Sequence, residues 1–362
     1  MMRSKSYFKK RILKFRRILS SKNLDGFIIE NPTDLTYFTG LKLSRGRLLI
    51  SQRSALLFVD GRYFTEAKKE SPYPVKKLGK TELENVLKSW KGATAFGFDT
   101  SLSVAAYRAL KSSFLQTKKK LKGLNQPTLH VRAVKDDKEL ADLKESAALL
   151  WKGFIYLRKK LKVGVSEIEL AREFEFYMKK KGAEALSFPP IVAFGENSAL
   201  PHHHSGSRKL KKNEVVLIDI GVVLNGYASD MTRVIFFGTV SKKVEELFQV
   251  VKKAHRAALE KCRPGEPIAS LDKAARSVMG SKEKYFVHAL GHGIGLDVHE
   301  YPRISSDLRK GQLEEGMVIT IEPGLYLPRV GGIRYEDMIV ITKTGYQNLF
   351  KEIKPNEPIT PF

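Results

Sequence analysis

The chain has 362 residues, which at about 150 residues per domain suggests two domains. Hydrophobic residues make up 42% of it and charged residues 28%, a balance that fits a globular protein with a buried core. No stretch approaches about 18 consecutive apolar residues, so we expect no membrane insertion. The single cysteine, Cys262, excludes an internal disulfide and a cysteine-based zinc site, and it favours a reducing, cytoplasmic location.

The positive charge is concentrated near the start of the chain. The formal net charge is +25, and residues 1–124 contain 27 basic and 9 acidic residues. A segment this basic raises the question of a nucleic-acid or anionic-membrane partner. No nucleic-acid-binding motif accompanies the lysines, so the sequence favours a solvated basic surface and predicts no specific nucleic-acid partner.

The first 126 residues are typical of an α/β domain. The first twenty contain eight basic residues and no acid, which is compatible with a targeting segment. However, Ile12, Phe15 and Leu19 recur at helical spacing, and the segment leads directly into the apolar run Phe27-Ile28-Ile29. We therefore predict the first helix and strand of a folded N-terminal domain, 1–126, that ends at the linker Asn125-Gln126-Pro127.

The second predicted domain covers residues 127–352, with a short C-terminal tail at 353–362. Asp136 is placed to cap its first helix. The four predicted helices form two pairs, each followed by strands: 137–162 with 166–182, and 242–262 with 268–280. The order helix–helix–strands thus occurs twice, which predicts an α+β domain with pseudo-two-fold symmetry.

Two aspartates of this domain are predicted to converge. Asn225-Gly226 between two apolar runs is a strong signal for a two-residue hairpin turn. That turn places Thr232 opposite Asp219, with Asp230 two residues away on the same face. One explanation for the two aspartates is purely structural: a half-exposed strand with a buried salt bridge. A divalent metal is the other explanation for two carboxylates that would otherwise repel each other.

The other candidate ligands lie near the C-terminus. His288, His292 and His299 fall within twelve residues and are interleaved with glycines, which indicates a metal or catalytic cluster. Glu322 and Glu336 each interrupt an apolar strand-like run. Two aspartates, two glutamates and a histidine suit Mn²⁺ best, with Co²⁺, Fe²⁺ and Zn²⁺ also compatible. Four carboxylates are too many for one catalytic ion and fit two divalent metal ions about 3.5–4 Å apart.

These blocks together resemble the metal-binding pattern of the creatinase/prolidase superfamily of metallopeptidases. The resemblance covers about residues 10–352, and within the superfamily it is greatest to aminopeptidase P and short prolidases. It is carried by Asn197-Ser-Ala-Leu-Pro-His202, Asp219-Ile-Gly, Ser229-Asp230-Met-Thr-Arg, Gly291-His292-Gly-Ile-Gly, Ile321-Glu322-Pro-Gly and Arg334-Tyr-Glu336-Asp. It implies a creatinase-like N-terminal domain followed by a pita-bread (creatinase/aminopeptidase-like) catalytic domain.

The resemblance also implies a role for each site residue. The metal ligands would be Asp219, Asp230, His292, Glu322 and Glu336, with Asp230 and Glu336 bridging two ions. Glu322 would also be the general base for a metal-bridging hydroxide. His202, His288 and His299 would line the substrate pocket, and Arg334 would orient a carboxylate ligand. Phe194 stands where the family more often has a small residue, and we expect it to narrow the pocket.

The implied activity is cleavage of the peptide bond that precedes proline. We favour an Xaa-Pro aminopeptidase that removes the N-terminal residue from proline-containing peptides. The alternative is a prolidase restricted to Xaa-Pro dipeptides. A catalytically inactive binding protein on the same fold is less favoured, because every ligand position is filled. The resemblance further implies a homodimer.

Overall fold

A computed structural model describes residues 4–350 as two compact units, divided between Arg132 and Ala133. The predicted tail, 353–362, lies outside the described residues. No helix within residues 4–350 is both long enough and apolar enough to cross a membrane.

The first unit contains one mixed sheet of six strands. Its elements in chain order are α1 (Lys5–Ser21), β1 (Gly26–Ile29), α2 (Pro32–Thr39), β2 (Gly46–Ser51), β3 (Ala55–Val59), α3 (Phe64–Glu70), β4 (Val75–Lys77), α4 (Lys80–Ser89), β5 (Ala95–Asp99), α5 (Val104–Gln116), β6 (Lys120–Leu124) and α6 (Pro127–Ala133). The strand order is β4-β3-β2-β1-β5-β6. The strands β1, β5 and β6 run parallel to one another, as the predicted α/β pattern requires.

Helix α1 belongs to the folded unit. Its buried apolar side chains, Phe8, Ile12, Phe15 and Leu19, recur every three or four residues and so form one face. The rings of Phe15 and Phe27 meet edge to face at 5.2 Å. The prediction of a first helix that leads into a first strand is confirmed.

Helix α6 explains why the two units divide after Arg132 instead of after Gln126. The buried Asp34 carboxylate accepts hydrogen bonds from Thr128 Oγ1 at 2.7 Å and from Arg132 Nη1 at 2.8 Å. The predicted linker is therefore the start of a helix that is tied back to α2. The turn-forming residues Asn125-Gln126-Pro127 predict a turn, but they give no indication of the long-range ion pair between Asp34 and Arg132.

The second unit contains the predicted repeat. Its first half comprises α7 (Asp137–Lys160), α8 (Glu167–Lys180), β7 (Ala185–Leu186), β8 (Ile191–Phe194), β9 (Glu214–Ile220), β10 (Val222–Leu224), β11 (Tyr227–Ala228) and β12 (Met231–Phe237). Its second half comprises α9 (Lys242–Leu259), α10 (Ile268–Met279), β13 (Gly291–Gly293), β14 (Glu300–Ile304), β15 (Val318–Ile321), β16 (Gly324–Leu327), β17 (Gly331–Arg334), β18 (Asp337–Ile341) and β19 (Tyr346–Asn348). The helix–helix–strands order is confirmed, and the predicted helix ends lie within three residues of the observed ones.

The strands of this unit are covered by helices on both sides. One buried cluster joins α7 and α8 to Val318 and Met338, and a second joins α9 and α10 to Ile319 and Ile339. Adjacent residues of β15 and β18 thus point into different cores. Strands buried on both faces are continuously apolar, so each polar residue within them stands out.

Phe194 corrects one expectation. Its side chain is fully buried in the core beside α7 and α8, so it does not narrow a pocket. Its position at the end of β8 gave no indication of which way the ring would face.

Candidate active site

The predicted hairpin is present and brings the two aspartates together. Asn225 and Gly226 form its turn, with φ angles of 53° and 79° and with Leu224 paired to Tyr227. Strands β9 and β12 pair in the register that sets Asp219 opposite Thr232. Asp230 immediately precedes β12 and is buried, so both carboxylates face the interior of the second unit.

His292 is oriented by its neighbours on the sheet. Its backbone N–H donates to Thr320 Oγ1 at 3.1 Å, and its ring Nδ1 lies 3.0 Å from the Gly293 carbonyl oxygen. Because Nδ1 donates there, Nε2 carries the free lone pair. Nε2 lies 3.3 Å from Glu322 Oε1 and 3.7 Å from Asp230 Oδ2. The residue before His292 must be glycine, because a Cβ on Gly291 would lie 2.0 Å from the Thr320 carbonyl oxygen.

The two glutamates reach the same place from the second half of the repeat. Glu322 follows β15, and its Oε1 accepts from Thr320 Oγ1 at 3.3 Å. Glu336 lies between β17 and β18, and its Oε2 accepts from Thr232 Oγ1 at 2.7 Å. Thr232 lies on β12, so this hydroxyl joins the two halves of the domain at the carboxylate cluster.

The cluster has more negative charge than its hydrogen bonds compensate. Asp219 Oδ1, Asp230 Oδ1 and Glu336 Oε1 are buried and have no hydrogen-bond partner within the described residues. Burial, together with the neighbouring carboxylates, raises the pKa of Asp230 and of Glu336 well above the ordinary value. Burial likewise raises the pKa of Glu322 to about 8.

These residues fit a divalent cation. One ligand atom from each of Asp230, His292 and Glu336 lies within 4.8 Å of the others. Three buried oxygens without a donor need positive charge that the protein does not supply, and carboxylates with one imidazole are a suitable donor set. Asp219 and Glu322 border the same group and complete the five predicted ligands.

Arg334 links the cluster to the pocket histidines. Its Nη2 donates to Asp219 Oδ2 at 2.5 Å, and its Nη1 donates to the Tyr326 hydroxyl at 2.7 Å. That hydroxyl lies 2.8 Å from His288 Nε2, while His288 Nδ1 lies 2.8 Å from the Ala289 carbonyl oxygen. Burial, and then the charge of Arg334, lowers the pKa of His288 to about 4. His288 is therefore neutral at pH 7, and its Nε2 accepts a hydrogen bond from the Tyr326 hydroxyl.

His299 and His202 are less constrained. The His299 ring meets the His292 ring edge to face at 4.4 Å, and much of His299 is exposed. Desolvation lowers the pKa of His299, and the negative charge of Asp219 opposes this by raising it. His202 is exposed, whereas the next residue, His203, turns inward to Glu167 at 2.8 Å.

Three hydroxyls of this site were missed by the sequence analysis: Thr232, Thr320 and Tyr326. Thr232 had a usable signal, because the hairpin register already set it opposite Asp219. The sequence signal for Thr320 is weaker: it lies two residues before Glu322 and so shares a strand face with it. Nothing in the sequence points to Tyr326, whose hydrogen-bond partners, His288 and Arg334, come from two other segments.

Comparison with known proteins identifies the family of the chain. Residues 141–343 match the model of metallopeptidase family M24, and residues 11–134 match the creatinase/prolidase N-terminal domain. An Xaa-Pro dipeptidase of Pyrococcus horikoshii is 34% identical over 345 residues, which are 94% of this chain and 96% of that protein.

Two solved structures extend the likeness to the fold. An Xaa-Pro dipeptidase from Bacillus anthracis superimposes with a TM-score of 0.89 at 31% identity, covering 96% of this chain and 98% of that one. An X-Pro aminopeptidase from Thermotoga maritima superimposes with a TM-score of 0.82 at 31% sequence identity. The match covers 92% of this chain and 97% of that one. The chain is therefore a member of metallopeptidase family M24, with a creatinase/prolidase N-terminal domain and a pita-bread catalytic domain.

Proposed function

We propose that this metallopeptidase is a prolidase that hydrolyses Xaa-Pro dipeptides. The observation that carries the proposal is the end-to-end similarity to a relative named Xaa-Pro dipeptidase. The sequence resemblance favours an aminopeptidase, but the relatives support the alternative, a prolidase, better. The metal-binding residues are shared by both activities, so motifs alone could not separate them.

An Xaa-Pro bond presents a particular chemical problem. It is a tertiary amide without an N–H, and the proline ring restricts both its own φ and the preceding residue. A peptidase that binds its substrate as a β-strand depends on the missing N–H. A site that recognises the ring by shape and the termini by charge does not have this difficulty.

The proposed metal ligands are Asp219, Asp230, His292, Glu322 and Glu336. When bound, two divalent ions, with Mn²⁺ the preferred metal, would polarise the scissile carbonyl and acidify water. Glu322 would accept the proton of the attacking water, since its side chain is 17% exposed and that of Asp230 only 7%.

The remaining site residues would hold these groups in place and stabilise charge. Arg334 would hold Asp219 in position through the hydrogen bond described above. His288, kept neutral by burial, would line the pocket. His202 and His299 would face the developing oxyanion and the substrate termini.

The substrate choice is tested with two peptides and metal-stripped protein. Gly-Pro and Arg-Pro-Pro are each incubated with the protein after addition of Mn²⁺, Co²⁺ or Zn²⁺. We expect metal-dependent hydrolysis of Gly-Pro, fastest with Mn²⁺, and no cleavage of the tripeptide. Cleavage of Arg-Pro-Pro alone would make the protein an aminopeptidase. Absence of turnover of both peptides by folded, metal-loaded protein would contradict the proposal.

Thr232→Val is expected to weaken metal binding by about 10–100-fold, the usual effect of losing a group that orients a ligand. The change is nearly isosteric, but it removes the hydroxyl that donates to Glu336 and accepts from Arg334 Nε at 3.0 Å. Calorimetric titration of the metal-stripped variant with Mn²⁺ measures the effect. Thr232→Ser keeps the hydroxyl and serves as the control. Equal affinities for all three proteins would exclude a ligand-orienting role for Thr232.

Two further properties stay predictions. We expect a homodimer, which sedimentation equilibrium measures directly. We also expect a cytoplasmic location, on the basis of the single cysteine, and fractionation of the source cells tests it.

A further inference from the structure

Glu167 has a fully buried carboxylate at the start of helix α8. Its Oε1 accepts from the Phe194 backbone N–H and from Asn197 Nδ2, both at 2.9 Å. Its Oε2 accepts from His203 Nε2 at 2.8 Å and from the Gly206 N–H at 3.1 Å. One carboxylate thus receives four hydrogen bonds, all from the segment 194–206.

The helix itself does not need this carboxylate. Ser166 caps α8 by accepting from the Glu169 N–H, and the Glu169 side chain accepts from the Ser166 N–H at 2.7 Å. An acid at the first helical position is ordinarily solvated and interacts only with the helix dipole. Glu167 points inward instead, where four donors offset the cost of burying its charge.

The opposite side of the segment is fixed to strand β17. The Gly332 N–H donates to Ser198 Oγ at 2.8 Å, and Arg334 Nη1 donates to the Pro201 carbonyl oxygen at 3.4 Å. A Cβ on Gly332 would lie 2.0 Å from the Ser198 carbonyl oxygen, so segment and strand are in close contact. The segment is held between α8 and the strand that carries Arg334.

His202 lies between two fixed points of this segment. On one side, the Pro201 carbonyl oxygen accepts a hydrogen bond from Arg334. On the other side, the His203 side chain is hydrogen-bonded to Glu167. Its own side chain is exposed and is available for substrate. Fixing the flanking backbone reduces the entropy lost when an exposed side chain must adopt one orientation.

We infer that Glu167 and His203 are positioning residues that set the orientation of His202 toward the substrate. The inference rests on the substrate-contacting role of His202 in the proposed function. It also separates the three consecutive histidines by role: His202 contacts substrate and His203 anchors the segment.

The test is a double-variant cycle with Glu167→Gln and His202→Ala. Glutamine turns one acceptor oxygen into an N–H₂ group that faces two donors, so the segment is released on one side. We expect kcat/KM for Gly-Pro to fall about 10–100-fold in Glu167→Gln, with unchanged Mn²⁺ affinity. Because Glu167 acts through His202, the double variant is expected to be no slower than His202→Ala alone. Glu175→Gln, on the outer side of α8, is the matched control and should match the wild type.

Hydrogen exchange supplies a readout that does not depend on activity. Residues 194–206 should exchange faster in Glu167→Gln than in Glu175→Gln, with no change at residues 291–299. Additive losses in the cycle, weaker Mn²⁺ binding in Glu167→Gln, or unchanged exchange of 194–206 would each overturn the inference. If wild-type protein fails to hydrolyse Gly-Pro while exchange still rises only in Glu167→Gln, the substrate proposal and the His202 role fail, and the anchoring of the segment stands.

Discussion

Glu322→Gln is expected to lower kcat for Gly-Pro by about 10²–10⁴-fold, the usual contribution of a general base. This corresponds to about 3–5 kcal/mol of transition-state stabilisation. Glutamine keeps the size of the side chain but cannot accept the proton of the attacking water. The Oε1 atom of Glu322 already faces Thr320 and His292, so Oε2 is the oxygen available for this task. The measurement is steady-state kinetics at saturating Mn²⁺, since the variant also loses a ligand charge.

The same substitution should stabilise the metal-free protein. Burial raises the pKa of Glu322 to about 8, so at pH 7 the folded state must take up a proton that the unfolded state does not hold. A neutral glutamine removes this cost. We therefore expect a metal-free Tm at or above that of the wild type, in a protein with almost no activity.

The stability gain has a defined pH window. A carboxyl whose folded pKa is raised loses stability as pH rises from its unfolded value, about 4.3, toward its folded value. The difference between Glu322→Gln and wild type should therefore grow between pH 4.5 and 8 and vanish below that range. The exposed Glu315→Gln is the control and should show neither effect. A metal-free Tm below that of the wild type would contradict this account of the Glu322 carboxyl.

Much of this site follows from local pattern. The Asn-Gly turn fixes the register of β9 and β12, and register alone determines that Asp219 and Asp230 share a face. Glu322 directly follows β15 and Glu336 directly precedes β18, and both are conspicuous because those strands are apolar and buried on both sides. The first helix pair is equally accessible, since Asp136 and Ser166 form capping boxes at the starts of α7 and α8 that can be read from the sequence.

The rest depends on contacts between distant segments. The division of the two units is set by Asp34 and Arg132, which are 98 positions apart. The direction of Phe194 and the inward turn of His203 depend on how the segment 194–206 packs on α8. The choice between dipeptide and longer substrates depends on what closes the pocket beyond the ligands, and no residue type reports that by itself.

Arg233→Met is expected to destabilise the protein by about 3–5 kcal/mol, the usual cost of breaking a buried ion pair. Arg233 lies directly behind the ligand cluster and is fully buried. Its Nη2 lies 2.5 Å from Asp337 Oδ1, and its Nη1 donates to the carbonyl oxygens of Thr232 and Glu336. The guanidinium group also lies 4.3 Å from the centre of the Tyr335 ring. Methionine fills a similar volume but supplies none of these donors.

The main loss is an uncompensated charge on Asp337. Its other oxygen accepts from Asn348 Nδ2 at 2.8 Å and lies 3.3 Å from His255 Nε2. Burial lowers the pKa of His255 to about 4, so His255 is neutral at pH 7 and does not replace the arginine. Adding Asp337→Asn to Arg233→Met should therefore recover a large part of the lost stability, because no lone charge is then buried.

An exposed pair provides the comparison. Arg303 and Asp307 lie 3.2 Å apart, with side chains that are 63% and 75% exposed. Arg303→Met should cost less than about 1 kcal/mol, since solvent screens such pairs. Urea unfolding of the metal-free proteins gives all four free energies. Equal losses for Arg233→Met and Arg303→Met, or no recovery in the double variant, would contradict the ion-pair explanation.

The position of Arg233 also predicts a loss of metal binding at temperatures where the variant is folded. The Glu336 carbonyl and the Thr232 carbonyl are both held by Nη1, and the side chains of these residues meet on the other side of the backbone. Releasing the two carbonyls frees the loop between β17 and β18 that presents Glu336. We expect Mn²⁺ affinity to fall about 10–100-fold in Arg233→Met, and the fall should persist in the double variant. Restored stability with unrestored metal binding would separate the electrostatic role of Arg233 from its role in holding Glu336.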